Sequence, residues 1–513
     1  MRFECAHCRH HVDADASPPR CPNCLRSTGM ISSEDARAPV RVVSRDWRWW
    51  LPAFALAGAS LVALVAIARF HRQHIEARTG TPCPMDRAAI EEAFKRHAVD
   101  PGPWVALLIP DERASRFARE VAGGTVDAEG KSAALMAGVR KLFDDQTLAR
   151  ASLAETRDAE VRTPSELLTA AGRKGSSLQV YPLELAALVT AGLRSLGVEA
   201  MVTEVLRAAG ERALPDPSGL IGYYAVTYAG ADGTWHRLDP WQGANLPEGA
   251  RTEVVSDTAA VGAAMALSAL DAAIFRMDTE RALRLSGDAL ALAGHLPTVR
   301  SARGVVVLGA HMAEQALQEL EAARQLRPDA ARMHNAATVY LLLGDNDRAD
   351  ALLAQAIDAA PELAAAYVTR AALFEARHEG DAAAAALARA EELAPSLGTL
   401  QLALAERDLR FGMPDEALAR AARAVNERPA FDARLRLAML QRQAARYAAM
   451  RANAQAILAG TPAYRRDEVR DILRVALGPT ALEVVEELES GPAVDASTPA
   501  SDDLAAKAIP TGP

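Results

Sequence analysis

DAARMHNAATVYLLLGDNDRADALLAQAIDAAP, residues 329–361, decides how the C-terminal half of the chain folds. Met333, Tyr340 and Leu353 place large side chains, and Ala337, Ala349 and Ala356 place small ones, at helical spacing. Gly344, inside LLLGD, opens a turn between two helices. Pro361 stops the second helix because it has no N–H to continue the hydrogen-bond ladder. The same slots return downstream as Tyr367, Ala371, Phe374, Ala383, Leu387 and Ala390, and then as Leu404, Ala405, Gly412, Ala417 and Ala424. Upstream, Gly304, Ala316, Leu320 and Ala323 fill them. Closing prolines stand at 328, 361, 395, 429 and 462, spaced by 33, 34, 34 and 33 residues.

A helix pair repeating near 34 residues resembles the tetratricopeptide (TPR) family. The resemblance implies an all-α TPR solenoid over 263–490 with five or six repeats. Residues 264–297 form an irregular first repeat in this reading, and Arg465–Leu488 a capping helix or two. Small residues let the two helices of a repeat approach, and large ones fill the gap to the next repeat. In such a solenoid the first helix of each pair lines a concave groove that takes a peptide or a partner helix. The groove positions here are His334, Thr338, Leu341, Val368, Glu375, Leu402, Glu406, Leu435 and Arg442. They include no lysine, so the lysine/asparagine clamp of chaperone-binding TPR proteins is absent. Protein or peptide binding in the groove is the expected function; a purely structural or self-associating solenoid is the plainer one.

Outward from the repeats, WWLPAFALAGASLVALVAIA, residues 49–68, contains no charge. Twenty residues at about 1.5 Å each give a helix of about 30 Å, the thickness of a bilayer core. Trp47, Trp49 and Trp50 gather at one end, where indoles favour the headgroup region. We expect a single transmembrane helix contacting the lipid bilayer. Arg37, Arg41, Arg45 and Arg48 precede it and Arg69, Arg72 and Arg78 follow, so charge barely selects an orientation.

Four of the five cysteines fall in the first 24 residues, as Cys5-x-x-Cys8, twelve residues, and Cys21-x-x-Cys24. Two such knuckles supply four thiolates for a tetrahedral Zn²⁺ at about 2.3 Å. The segment resembles small N-terminal zinc ribbons of bacterial membrane proteins. A structural Zn on Cys5, Cys8, Cys21 and Cys24 leaves no open position for catalysis. Replacement of one thiolate by His7, His10 or His11, and iron in a rubredoxin-like site, are the alternatives. Thiolates favour a reducing compartment, which sets the N-terminus in the cytoplasm and the C-terminal domains outside it.

Residues 163–205, TPSELLTAAGRKGSSLQVYPLELAALVTAGLRSLGVEAMVTEV, together with GYYAVTYAGADGTWHRLDPW at 222–241, resemble the transglutaminase-like (papain-type) core. Leu193, Arg194, Leu196 and Gly197 match the family's helix end, and Leu238, Asp239 and Pro240 its aspartate motif. The resemblance implies an α+β domain over 84–262. Its chemistry needs a cysteine nucleophile, a histidine base and an orienting aspartate. Pro182 stands at the cysteine position and Gly222 or Tyr223 at the histidine position, while Asp239 remains. His236, three residues before Asp239 on one strand, points to the opposite face. Cys83 sits far upstream beside Pro82 and Pro84, and Ser176 and Ser177 have no histidine in the matching strand. We therefore expect no catalytic residues: a pseudoenzyme domain. A cysteine hydrolase or transferase with displaced residues is the alternative, and a membrane signalling protein acting through the ribbon is another.

Across its 513 residues the chain is 50% apolar and only 5% aromatic, which suits packed helices with small contact residues. Its formal net charge of −9 disfavours a nucleic-acid partner. The whole is multidomain: ribbon at 1–30, linker at 31–48, span at 49–68, α+β domain, solenoid, and a polar disordered tail at 491–513.

Overall fold

The computed structural model describes residues 2–5, 11–13, 30–32, 87–99, 102–144, 148–150, 161–172, 178–207, 216–274, 276, 278–427, 431–461 and 466–478. The span at 49–68, Cys8, Cys21, Cys24, Cys83, Ser176, Ser177, Pro429, Pro462 and the tail at 491–513 lie outside the described residues. Residues 1–81 and 82–513 are separate units.

In the first unit, β1 (Arg2–Cys5), β2 (His11–Asp13) and β3 (Met30–Ser32) make a three-stranded antiparallel sheet in the order β2-β1-β3. Phe3 is opposite Val12 on one side and Ser32 on the other.

The second unit opens with α1 (Arg87–His97), a 3-10 turn at Gly102–Leu107, α2 (Glu112–Ala122) and α3 (Ala128–Asp144). A short parallel pair follows, β4 (Leu148–Arg150) with β5 (Leu178–Val180), flanking α4 (Pro164–Ala171). Then α5 (Pro182–Ser195) leads into β6 (Ala200–Arg207), β7 (Tyr224–Ala229), β8 (Trp235–Asp239), β9 (Ala244–Asn245) and β10 (Arg251–Val254). These five strands form an antiparallel sheet in the order β10-β6-β7-β8-β9, with Val226 opposite both Val202 and Leu238.

α5 is buried along nearly its whole length. Pro182 occupies its first turn, where a missing N–H is harmless, and Glu184 caps that turn from below. The Glu184 carboxylate accepts the backbone N–H of Tyr181 and of Arg162, each at 2.7 Å. At the other end Arg194 donates to both oxygens of Asp257 at 2.8 Å and to the carbonyl of Ala200 at 2.9 Å. The arginine of the LRxLG run thus ties helix, sheet and the next helix together.

That next helix, α6 (Asp257–Ile274), is buried from Ala259 through Ala272. Among the described residues it is the helix long and apolar enough to cross a membrane, yet 89% of that stretch is already covered inside the protein. One apolar core runs from Ile90 on α1 through α5 and α6 to Val306. The boundary expected between residues 262 and 263 therefore falls inside a helix. α6 serves both the sheet and the first helices of the solenoid, so no linker separates them.

Six helix pairs begin with α6 and α7 (Thr279–Ala293) and continue as α8 (Pro297–Gly309) and α9 (Ala313–Leu326), then α10 (Ala330–Leu342) and α11 (Asn346–Ala359). Next come α12 (Ala364–Ala376) with α13 (Gly380–Leu393), α14 (Gly398–Arg410) with α15 (Pro414–Glu427), and α16 (Phe431–Gln443) with α17 (Tyr447–Ala459); α18 (Arg466–Leu477) closes the described residues. From α8 onward the first helices start at 297, 330, 364, 398 and 431, the same step as the closing prolines. Ala337, Ala349 and Ala356 are fully buried, as the small slots require, and Leu353 fills the space beside them. This is a helical repeat solenoid like those of TPR proteins.

From α8 onward, each turn inside a pair passes through one residue with positive φ: His311, Gly344, His378, Gly412 and Ala445, between 57° and 78°. The left-handed region is open to glycine and costs other residues about 1–2 kcal/mol. An added Cβ at Gly412 would meet nothing within 4 Å, so only the backbone term matters there. Gly412→Ala should destabilise the protein by about 1 kcal/mol, and Ala445→Gly should recover a similar amount in the native chain. Urea unfolding of both variants checks this; equal midpoints for all three proteins would refute it.

Candidate protein-binding cleft

The groove positions sit on the first helices of successive pairs, and their side chains link one pair to the next. His334 Nε2 on α10 lies 2.9 Å from Thr369 Oγ1 on α12. Glu375 on α12 pairs with Arg410 on α14, and Glu406 on α14 with Arg436 on α16 at 3.4 Å. Arg442 on α16 donates to the carbonyl of Ala476 on α18 at 2.9 Å. Thr338 donates back to the carbonyl of His334 at 3.0 Å, four residues earlier on its own helix. Leu341 and Val368 are half-buried and pack on the cores of their repeats. These charges are therefore engaged in a ladder along the face, and an exposed pair of this kind contributes about 0–1 kcal/mol.

Leu402 is a correction. It is 4% exposed and packs with Ala405, Ala417, Ala421 and Val425. Buried in that cluster, it presents nothing to a ligand.

Leu435 borders a cleft of about 1150 Å³. One wall comes from the end of α6 and the start of α7, with Ile274, Asp278 and Glu280. The turn at Gly309–His311 adds to it. The opposite wall comes from α16 and α18, with Phe431, Asp432, Glu468, Asp471, Ile472 and Val475. First and last helices of the solenoid thus face one space, and Val475 is 87% exposed beside it. Of the nine groove positions only Leu435 lines this cleft. The wall from α18 is the part that the repeat pattern missed. Its signal was present in RDEVRDILRVAL, where Ile472 and Val475 continue an apolar stripe beyond what a cap must bury.

In the α+β part, Asp239 is 5% exposed and its carboxylate is fully occupied. The Tyr223 hydroxyl donates to Oδ2 at 2.7 Å, and the backbone N–H groups of Trp241 and Gln242 donate to Oδ1 at 2.9 and 3.1 Å. Gly222, beside Tyr223, has φ of 75°. His236 lies on the other face of β8, stacked on Tyr228 with ring centres 5.2 Å apart and 2.9 Å from Thr234 Oγ1. Glu129, Asp232 and His236 bring ligand atoms within 4.8 Å of one another. Glu129 already accepts the N–H of Ala231, and Asp232 that of Thr234.

The sheet and the solenoid meet over a buried ion pair. Arg327 reaches Glu204 Oε1 at 2.7 Å, with Glu204 2% exposed. Burial pushes the Glu204 carboxyl above the usual range, against the pull of Arg327 and Arg332. Asn335 donates to the carbonyl of Ser218 at 2.9 Å, and Arg332 pairs with Asp329 on the same surface.

No family model and no curated protein matches this sequence. Among solved structures, part of the chain is similar to TTC0263, a thermophilic TPR protein of Thermus thermophilus, at 25% identity over 32% of this chain and 91% of that one, TM-score 0.29. It is similar to PilF of Pseudomonas aeruginosa at 14% identity over 44% and 97%, TM-score 0.29. It is also similar to YrrB, described as a TPR protein with an unusual peptide-binding site, at 19% identity over 30% and 79%, TM-score 0.22.

Desolvation between α10 and α12 pushes His334 from 6.5 down to about 4. The folded protein therefore binds fewer protons than the unfolded chain between those values. Its contribution to stability is complete above pH 6.5, falls as pH drops toward 4, and falls no further below. His334→Asn should flatten the stability profile in that window while leaving other pH ranges unchanged. Urea midpoints at pH 7, 5.5 and 4 test it, and parallel profiles for the two proteins would contradict it.

Proposed function

We propose that this chain is a membrane-anchored scaffold whose solenoid holds a segment of another protein in the cleft between α6–α8 and α16–α18. The observation that carries this reading is the cleft itself. Its volume of about 1150 Å³ matches a binding site, and apolar Ile274, Phe431, Leu435, Ile472 and Val475 lie among acids. Paired side chains along the inner face link successive repeats. The acidic rim repels nucleic-acid phosphates, in keeping with the net charge of −9.

The remaining parts fit this role. Residues 49–68 serve as the membrane span, with the N-terminus cytoplasmic and the solenoid outside. The first 30 residues hold one structural Zn²⁺ through Cys5, Cys8, Cys21 and Cys24; the antiparallel sheet of β1, β2 and β3 supports a ribbon. The α+β part acts as a transglutaminase-like domain without thiol catalysis. A phenol at Tyr223 hydrogen-bonded to Asp239 supports this, because tyrosine titrates near 10 and makes a poor base at neutral pH.

The full chain should pellet with membranes, resist alkaline extraction, and carry one zinc per molecule after detergent purification. A soluble, metal-free product would overturn the anchor and the ribbon. For the cleft, photo-crosslinking groups placed at Leu435 and at Ile472 should trap the same protein, and Phe431→Asp should abolish both adducts with unchanged circular dichroism. Adducts that survive in the folded variant would move the binding site elsewhere.

A further inference from the structure

The apolar floor of the cleft is ringed by acids, of which Asp278 also caps α7 by accepting the N–H of Arg281 at 3.0 Å. Asp278, Glu280, Asp432, Glu468 and Asp471 all line the cleft, and among the described residues no lysine or arginine does. Arg474 stands beside it, bonded to Asp471 on the same helix. The acids come from three elements of the fold, α7, α16 and α18, that are distant in sequence. Their convergence is thus a product of the superhelical path.

Between these acids the surface is aliphatic and aromatic. Ile274 and Leu435 are half-buried, while Val475 is almost fully exposed. A helix about 10–12 Å across rises about 1.5 Å per residue and so fills about 120–170 Å³ per residue. A space of about 1150 Å³ takes roughly two turns of such a helix. Two turns present two or three apolar side chains on one face and basic groups on its flanks.

Resting on the reading of this cleft as a protein-capture site, we infer that its partner is a basic amphipathic helix. Leucine-like side chains enter between Phe431 and Ile472, and lysines or arginines meet Glu280, Glu468 and Asp471. Apolar anchors supply most of the affinity, and the acids select the sign of charge and speed association.

Three fluorescent peptides of one length test this against the full chain in neutral detergent: leucine with lysine, leucine with glutamine, and leucine with glutamate. The leucine/lysine peptide should bind at least about tenfold more tightly than the leucine/glutamine peptide, with affinity falling as salt rises. The triple variant Asp432→Asn, Glu468→Gln, Asp471→Asn should lose that preference while keeping its circular dichroism. Glu468→Gln alone, an exposed and isosteric change, should lose part of it. Equal binding of the lysine and glutamine peptides would overturn the charge selection and leave cleft capture standing. Equal binding of the lysine peptide to wild type and triple variant would place its site outside the cleft and overturn the inference. Binding of none of the three would overturn the inference and the capture reading together.

Discussion

A helical repeat buries its apolar faces only against its neighbours, so the first and last repeats each leave one face to be covered. That constraint organises the second unit. At the N-terminal end α6 is the answer: it packs on α5 and the sheet on one side and on α7 and α8 on the other, within one core. The bidentate pair of Arg194 with Asp257 fixes its first turn, and the pair of Arg327 with Glu204 fixes the solenoid over β6. Neither pair is the main source of stability. Burial of charge works against such a pair, and it pushes the Glu204 carboxyl above its usual range despite Arg327. The apolar core holds the parts together, and the ion pairs set the angle at which they meet.

The C-terminal end is solved differently. α18 covers the last pair with Val469, Leu473 and Leu477, all buried. Its other apolar residues, Ile472 and Val475, turn toward the opening opposite α6 and α7. A cap needs one apolar stripe; this helix has a second. The same helix therefore covers the last described pair and builds a wall of the cleft, which links the stability of the solenoid to the shape of its binding surface.

The sheet gives its buried aspartate a structural task. Asp239 keeps three donors around its carboxylate, so both of its buried oxygens are hydrogen-bonded. With Tyr223 as one of them, the aspartate holds the corner between β8 and the following turn. Pro182 and Glu184 start α5, and both are buried. Each group performs a structural task in the described residues, with Asp239 closing a turn and Glu184 closing a helix end.

The repeat was legible in the sequence because its causes are local. Proline ends a helix by lacking an N–H, alanine marks a close contact, and both recur at the step with which the helices begin. The opposite facing of His236 and Asp239 followed equally from the pleat of one strand. Other features were not local. Leu402 occupies the same slot as His334, Val368 and Leu435, but the side chains packed around it in its own repeat decide that it is buried. The boundary at 262/263 failed because α6 is apolar all round, and sequence alone does not say how many neighbours such a helix has. The cleft was beyond reach for the same reason. Ile274 and Ile472 become its opposite walls only through the small rotation between successive pairs, summed over the solenoid. The sequence by itself determined the repeat and its length; that accumulated rotation, a property of packing between repeats, decided where the chain meets itself and what surface is left to bind.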